Sequence, residues 1–255
     1  METQPNHLQI HLNVLADQLR GEISSDLTTL KVLNDAIDRN LYPSSNYTLQ
    51  QWILTTSITV PPLDFLKQRE INKCFKSIIG SLQDYLDKLI AALDLAMEDI
   101  ILPVESNSID LNKIIESKYE ANLLKVSTDQ SLKIPKKLEM LLPSPENEEI
   151  KNSLQSFFDV RNWLEHHKGI AKNHRVMTYK RIGIVSISGQ EIIPKMKLLA
   201  GDGICIKAFT ENIYYDKGGN IIISNEQLDW IVFSLLLFAI PSLLSETASR
   251  INWNT

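Results

Sequence analysis

The chain has 255 residues, 44% of them hydrophobic and 22% charged, and a net charge of −5. These are ordinary values for a soluble globular protein, large enough for one sizeable domain or a domain with an extension. The acidic total means that any basic patch able to meet nucleic acid must be local. Two cysteines, Cys74 and Cys205, lie far apart in sequence. They argue against a disulfide framework or a cysteine zinc site and fit a reducing cytosol.

From the start, the polar, mixed stretch Met1 to Asn13 does not read as a signal peptide. Leu8, Leu12, Leu15, Leu19, Leu27, Leu30, Leu33 and Ile37 recur at helical spacing, with Gly21 and Ser24-Ser25 expected to divide or kink the helix. His7 and His11 stand one turn apart but lack a third ligand nearby, so they read as solvated histidines. Tyr42 to Asn46 is a loop. Trp52 to Val60 leaves helix and strand open, and Pro61-Pro62 ends it. Leu63 to Asp99 carries the longest helical pattern and should be a central bundle helix, with a break expected near Gly80. Pro103 and Glu105 to Ser108 read as a loop, followed by weaker helical periodicity over Ile109 to Leu124 and a short helix at 136–142.

Ser144-Pro145, with acids in the first turn, should start the next helix, Ser144 as N-cap and Pro145 at the first position. After Gly169 the pattern changes. Val176 to Ile187 and Gly203 to Tyr215 alternate like strands, and Asp216 to Asn220 reads as a hairpin turn before Ile221 to Ile223. Ser224 to Gln227 should cap a last helix reaching about Asn252. Its apolar run, Trp230 to Leu244, is 15 residues long and interrupted by Ser234, Pro241 and Ser242. That is short for a membrane span and reads as a buried helix.

One segment combines an arginine, an amide and a histidine pair in an otherwise apolar helical pattern: Arg161-Asn162-Trp163-Leu164-Glu165-His166-His167. At 100° per residue, Arg161 falls in the middle of the stripe formed by Leu154, Phe157 and Leu164. An arginine there either has a structural partner, for which Glu165 one turn on is the candidate, or points into a site. The segment resembles the arginine–polar–histidine signature of the HEPN superfamily (higher eukaryotes and prokaryotes nucleotide-binding domains), over about ten residues near a helix end. The pattern of elements reads as a mainly α fold, a helical bundle with a small β insertion at about 176–224 between the motif helix and the C-terminal helix, and the resemblance implies that the bundle, at 61–255, is HEPN-like. Residues 1–60 read as an N-terminal helical extension, open as a dimer arm, a partner-binding extension or part of the bundle. The resemblance implies a metal-independent ribonuclease needing no cofactor, acting on RNA in the cytoplasm. It further implies a homodimer, and a toxin or phage-defence role with an antitoxin or regulatory protein as partner.

The chemistry suits these residues. Attack by a ribose 2′-hydroxyl needs a group that titrates near neutrality and a cation for the pentavalent phosphate; histidine suits the first task and arginine the second. By resemblance, Arg161 stabilises the phosphate, His166 does acid/base work and Asn162 orients. His167 fits the looser family spacing equally well. His166 lies about 140° round a regular helix from Arg161, so the two converge only if the helix unwinds near Glu165, if Arg161 reaches round, or if the site is shared between two subunits.

Independently of the family, the window from Arg161 to Arg181 holds six basic residues (Arg161, Lys168, Lys172, Arg175, Lys180 and Arg181) against one acid, Glu165. Such a patch, with Lys168, Lys172 and Arg175 as substrate-binding candidates, suits a phosphate backbone; it also suits a solvated face. Trp163 and Tyr179 are candidates for base stacking or for core packing. Histidines 166, 167 and 174 are a weaker candidate for a zinc site. Besides a ribonuclease, the residues allow a non-catalytic RNA- or nucleotide-binding protein, and a structural or regulatory helical protein with Arg161 as a paired core arginine.

Overall fold

Leu63–Met97 forms a single helix, α2, round which the other elements pack. The computed structural model describes residues 7–39, 47–51, 54–58, 62–97, 111–186 and 204–252. Its middle carries a wide apolar face: Phe75, Ile78, Ile79, Leu82, Leu86, Leu89 and Ile90 are all fully buried. So wide an apolar face must be covered, and the other helices pack against it. Gly80 does not break it. One glycine in a helix costs about 1 kcal/mol, small beside the burial of seven large side chains.

Helix α1, His7–Asp38, is likewise continuous, where a division near Gly21 and Ser24-Ser25 was expected. Leu12, Ala16, Leu19, Ile23, Leu30 and Ile37 form an unbroken buried stripe across that point. The Thr28 and Thr29 hydroxyls donate to the Ser24 and Ser25 carbonyls at 2.8 and 3.0 Å. Tertiary packing of the stripe outweighs the weak local propensity. Leu12, Ala16, Leu19, Ile23 and Leu30 share one core with α2 and with the C-terminal helix, so α1 packs as part of the bundle.

The open stretch after Tyr42–Asn46 is an antiparallel hairpin, β1 (Tyr47–Gln51) and β2 (Leu54–Ile58). Helix α3 spans Leu111–Thr128 and α4 Ile134–Leu141, with Pro135 in its first turn. The loop expected around Pro103 lies outside the described residues. Ser144 does precede a turn but not the motif helix itself: Pro145–Asn147 is a 3₁₀ turn, Ser144 makes no side-chain cap, and α5 runs Glu148–His166. The start of α5 is fixed instead by Asn147, which is buried and donates to Glu246 of the last helix at 2.7 Å.

The expected β insertion is a two-stranded antiparallel ribbon, β3 (Arg175–Ser186) and β4 (Ile204–Tyr215), in register from Arg175↔Tyr215 to Ser186↔Ile204. A two-stranded ribbon leaves outer-edge amides unpaired. Two of them in β3 are taken by helix hydroxyls: Thr178 N donates to Ser156 Oγ of α5 at 3.3 Å, and Lys180 N to Ser234 Oγ at 3.1 Å. Small polar residues in these apolar helices thus position the ribbon. The turn at Asp216–Asn220 is not a hairpin into a further strand, as had been expected. It folds back on the loop after α5: Ala171 N donates to Gly219 O, Gly218 N to Ala171 O and Ile221 N to Gly169 O, all at 2.8–2.9 Å.

The last helical segment begins with a full capping box between Ser224 and Gln227. It comprises α6 (Asn225–Ser234), a π-helical turn at Leu235–Ala239, and α7 (Ile240–Asn252). Pro241 explains the π turn: it has no N–H to give to Leu237 O, and its ring would clash with that carbonyl in a regular helix. Asn225–Ile251 is long and apolar enough to cross a membrane by length and composition alone; 44% of its most apolar window is buried. Ile231, Val232, Leu235, Ile240 and Leu243 lie in the common core. The fold is therefore mainly α, a bundle with an antiparallel ribbon between the motif helix and the C-terminal helix.

Candidate functional site

The motif occupies the last two turns of α5. Phe157, Phe158, Val160 and Trp163 are buried, and Trp163 meets Tyr215 edge-to-face at 6.5 Å. Trp163 and Tyr179 are both core residues, which answers whether they pack or stack on bases. Arg161 emerges between these anchors toward α2. Its side chain is 22% exposed; Nη2 lies 3.3 Å from Glu165 Oε2, and Nη1 donates to Gln83 Oε1 at 3.3 Å. Nε is buried without a partner. Gly80 faces this side chain, and a Cβ there would lie at ordinary contact distance, 3.9 Å, from Nη2. Arg161 therefore has the expected Glu165 pair, but both contacts are long, and one guanidinium donor is unsatisfied.

Helix α5 stays α-helical through His166. It does not unwind near Glu165, so within one chain Arg161 and His166 stand on different sides of the helix. Asn162 and His166 are exposed and His167 is half-buried at the C-cap. The carbonyl of Trp163 accepts from both His167 N and Gly169 N, at 3.0 and 3.1 Å. To make this end the chain takes positive φ twice, +54° at Lys168 and +76° at Gly169. Lys168 is the only non-glycine residue with positive φ among the described residues. An L side chain in this region costs about 1–2 kcal/mol. His166, His167, Lys168, Ile170, Ala171 and Lys172 line a shallow depression here.

Most of the basic window is neutralised in space. Arg175 pairs with Asp159 at 2.6 Å, Lys180 with Glu149 at 2.9 Å and Arg181 with Glu211 at 3.0 Å. Arg181 and Lys180 also sit over the rings of Phe209 and Phe238. The balancing acids come from α5 and β4, outside the 161–181 window, so the local excess counted along the chain is not a free basic surface. Lys168 and Lys172 keep no acidic partner among the described residues. Of the substrate-binding candidates, these two are available and Arg175 is engaged. The Lys180 and Thr210 hydrogen bonds hold the Glu149 carboxyl below its ordinary value. His174 lies 3.2 Å from Asp216, both exposed. Among the described residues no three His, Cys, Asp or Glu side chains gather to hold a metal, so histidines 166, 167 and 174 do not form a joint site. The His7 and His11 side chains lie outside the described ones.

A part of the site that the motif does not announce comes from α2. A groove of about 370 Å³ runs between α2 and the end of α5, lined by Phe65, Gln68, Arg69, Asn72, Lys73, Lys76, Leu164, Lys168 and Gly169. The signal was present: Arg69, then Asn72 or Lys73, then Lys76, Gly80 and Gln83 recur three to four residues apart, a stripe without large apolar side chains along α2. No protein-family model matches the chain, and no curated protein or solved structure matches it either.

Proposed function

We propose that this protein is a metal-independent endoribonuclease of HEPN type. What supports the reading is the environment of Arg161: a cation in an apolar stripe, only partly balanced by an exposed glutamate, with Nε buried and unpaired. It lies one helical turn along α5 from Leu164, and the Gly80 that it faces lies one turn along α2 from Lys76; Leu164 and Lys76 both line a groove edged by cations. In the proposed reaction the ribose 2′-oxygen attacks the adjacent phosphorus, and the bond from phosphorus to the leaving 5′-oxygen breaks. An imidazole, His166 or His167, takes the 2′ proton and, as imidazolium, gives a proton to the leaving 5′-oxygen. The products are a 2′,3′-cyclic phosphate and a 5′-hydroxyl. Arg161 stabilises the phosphorane charge, and Asn162 orients the phosphate. Because Arg161 and His166 stand on different sides of a regular helix, the full set is assembled between two copies of the chain, a homodimer acting in the cytoplasm. A toxin or antiviral role, restrained by a partner protein, belongs to the same proposal.

The test is incubation of the purified protein with mixed RNA in EDTA, beside Arg161→Ala, His166→Ala and His167→Ala. Cleavage to cyclic-phosphate ends is expected, reduced at least about 100-fold by Arg161→Ala and by one of the two histidine variants. An inactive wild type overturns the proposal. The Arg161–Glu165 contact favours a second reading, in which Arg161 is a structural ion pair; it predicts a large loss of stability in Arg161→Ala.

A further inference from the structure

We infer that the groove between α2 and the end of α5 is the track for a single strand of RNA, leading it to the histidine end of α5; this rests on the ribonuclease reading above. Four cations line the groove. Arg69 and Lys73 share one acid, Glu70, at 3.4 and 2.8 Å, while Lys76 and Lys168 have no acidic partner among the described residues. The groove thus keeps a net positive charge in a chain of net charge −5. From Phe65 to Lys76 it follows α2 for about 16 Å at 1.5 Å per residue, room for a few nucleotides. At one end Phe65 is 59% exposed, an unusual place for a phenylalanine and a surface on which a base can stack. Lys168 lines both this groove and the His166/His167 depression, so the two are contiguous. A strand lying along the cations would pass over Lys168 to the imidazoles.

Lys168 supplies a second, separate observation. Glycine is the residue that takes positive φ without steric cost, yet a lysine is held there at +54°. Strain kept at one residue is a reason to look for what its side chain does; here it presents an ammonium at the junction of the two surfaces. Gln68 and Asn72 add amide groups to the groove wall. They are bonded to each other at 3.0 Å, and Gln68 also donates to Ile223 O at 3.2 Å, which fixes their orientation.

The test uses fluorescence anisotropy with a labelled 2′-O-methyl oligouridylate, which lacks the attacking hydroxyl and survives the titration. Binding by the wild type should fall with salt. In Arg69→Ala/Lys76→Ala the log–log slope should drop by about 1.4, since each single-strand phosphate contact contributes about 0.7. Phe65→Ala should weaken binding about tenfold, and Lys168→Gly should weaken it while leaving the chain at least as heat-stable. Cleavage of unmodified RNA is measured in parallel. A wild type that cleaves, with KM and salt slope unmoved in these variants, overturns the track and leaves the ribonuclease reading standing. Groove-dependent binding without cleavage keeps the track and removes the ribonuclease reading. A wild type that does not bind the oligonucleotide overturns the track.

Discussion

Two cations reach α2 from neighbouring helices, and they are held very differently. Lys137 of α4 is paired with Asp87, and the two side chains are only 6% and 8% exposed. Arg161 of α5 is nearly a quarter exposed, meets a neutral amide and shares an acid that solvent also reaches. The first arrangement is one of structure: a buried charge tolerable only because its partner is buried with it. The second leaves capacity unused, because a guanidinium offers five donors and Arg161 makes two long contacts with them. The position of a charged residue in an apolar stripe does not distinguish the two cases; the completeness of its pairing does.

The comparison can be broken most forcefully at the buried pair. Asp87→Ala or Lys137→Ala should cost about 3–5 kcal/mol by stranding the other charge, read as a lower urea midpoint. Replacing both with apolar residues of similar volume should recover most of that loss. A mild effect of either single change would mean that the pair is more hydrated than its burial shows.

Smaller effects sharpen the second arrangement. Gly80→Ala places a methyl at ordinary contact distance from Arg161 and should stabilise α2 by about 0.5–1 kcal/mol. Lys168→Gly should stabilise by roughly 0.5–1 kcal/mol, the relief of positive φ being partly offset by the greater freedom of glycine in the unfolded chain. Both are read as small rises in Tm.

The weakest effects are those of pH, and the two carboxylates should act in opposite directions. Burial raises the Asp87 carboxyl above its ordinary value, with Lys137 opposing. The native state then keeps that proton to higher pH than the unfolded chain, so this group's contribution to stability is full below the ordinary aspartate value and falls as pH rises through the native one. Glu149 is held low by Lys180 and Thr210. Its contribution is present above the ordinary glutamate value and is lost as pH falls through the native one. Urea midpoints from about pH 3 to about pH 6 should lose the first slope in Asp87→Asn and the second, smaller one in Glu149→Gln, a partly exposed pair worth under about 1 kcal/mol.

The sequence revealed periodic elements well and spatial pairings poorly. The stripes of α1 and α2, the alternation of β3 and β4 and the capping box at Ser224 were legible because each is a local pattern. The unbroken course of α1 past Gly21 was not, since it depends on α2 packing across that point. The π turn before Pro241 and the return of Asp216–Asn220 onto the loop after α5 likewise depend on what the backbone meets in space. The motif itself was readable from Arg161, Asn162, His166 and His167. The charge balance round it was not, because Glu149, Asp159 and Glu211 reach the basic window from outside. The groove residues of α2 were legible as a stripe of polar side chains but had no partner surface until α5 was placed against them.

The measurement that bears most directly on Arg161 is urea unfolding of Arg161→Ala beside Lys137→Ala under the same conditions. A loss of about 1 kcal/mol or less for Arg161→Ala, against about 3–5 kcal/mol for Lys137→Ala, is the expected result and marks Arg161 as a site residue. A loss for Arg161→Ala as large as that for Lys137→Ala would contradict the account and make Arg161 a structural cation.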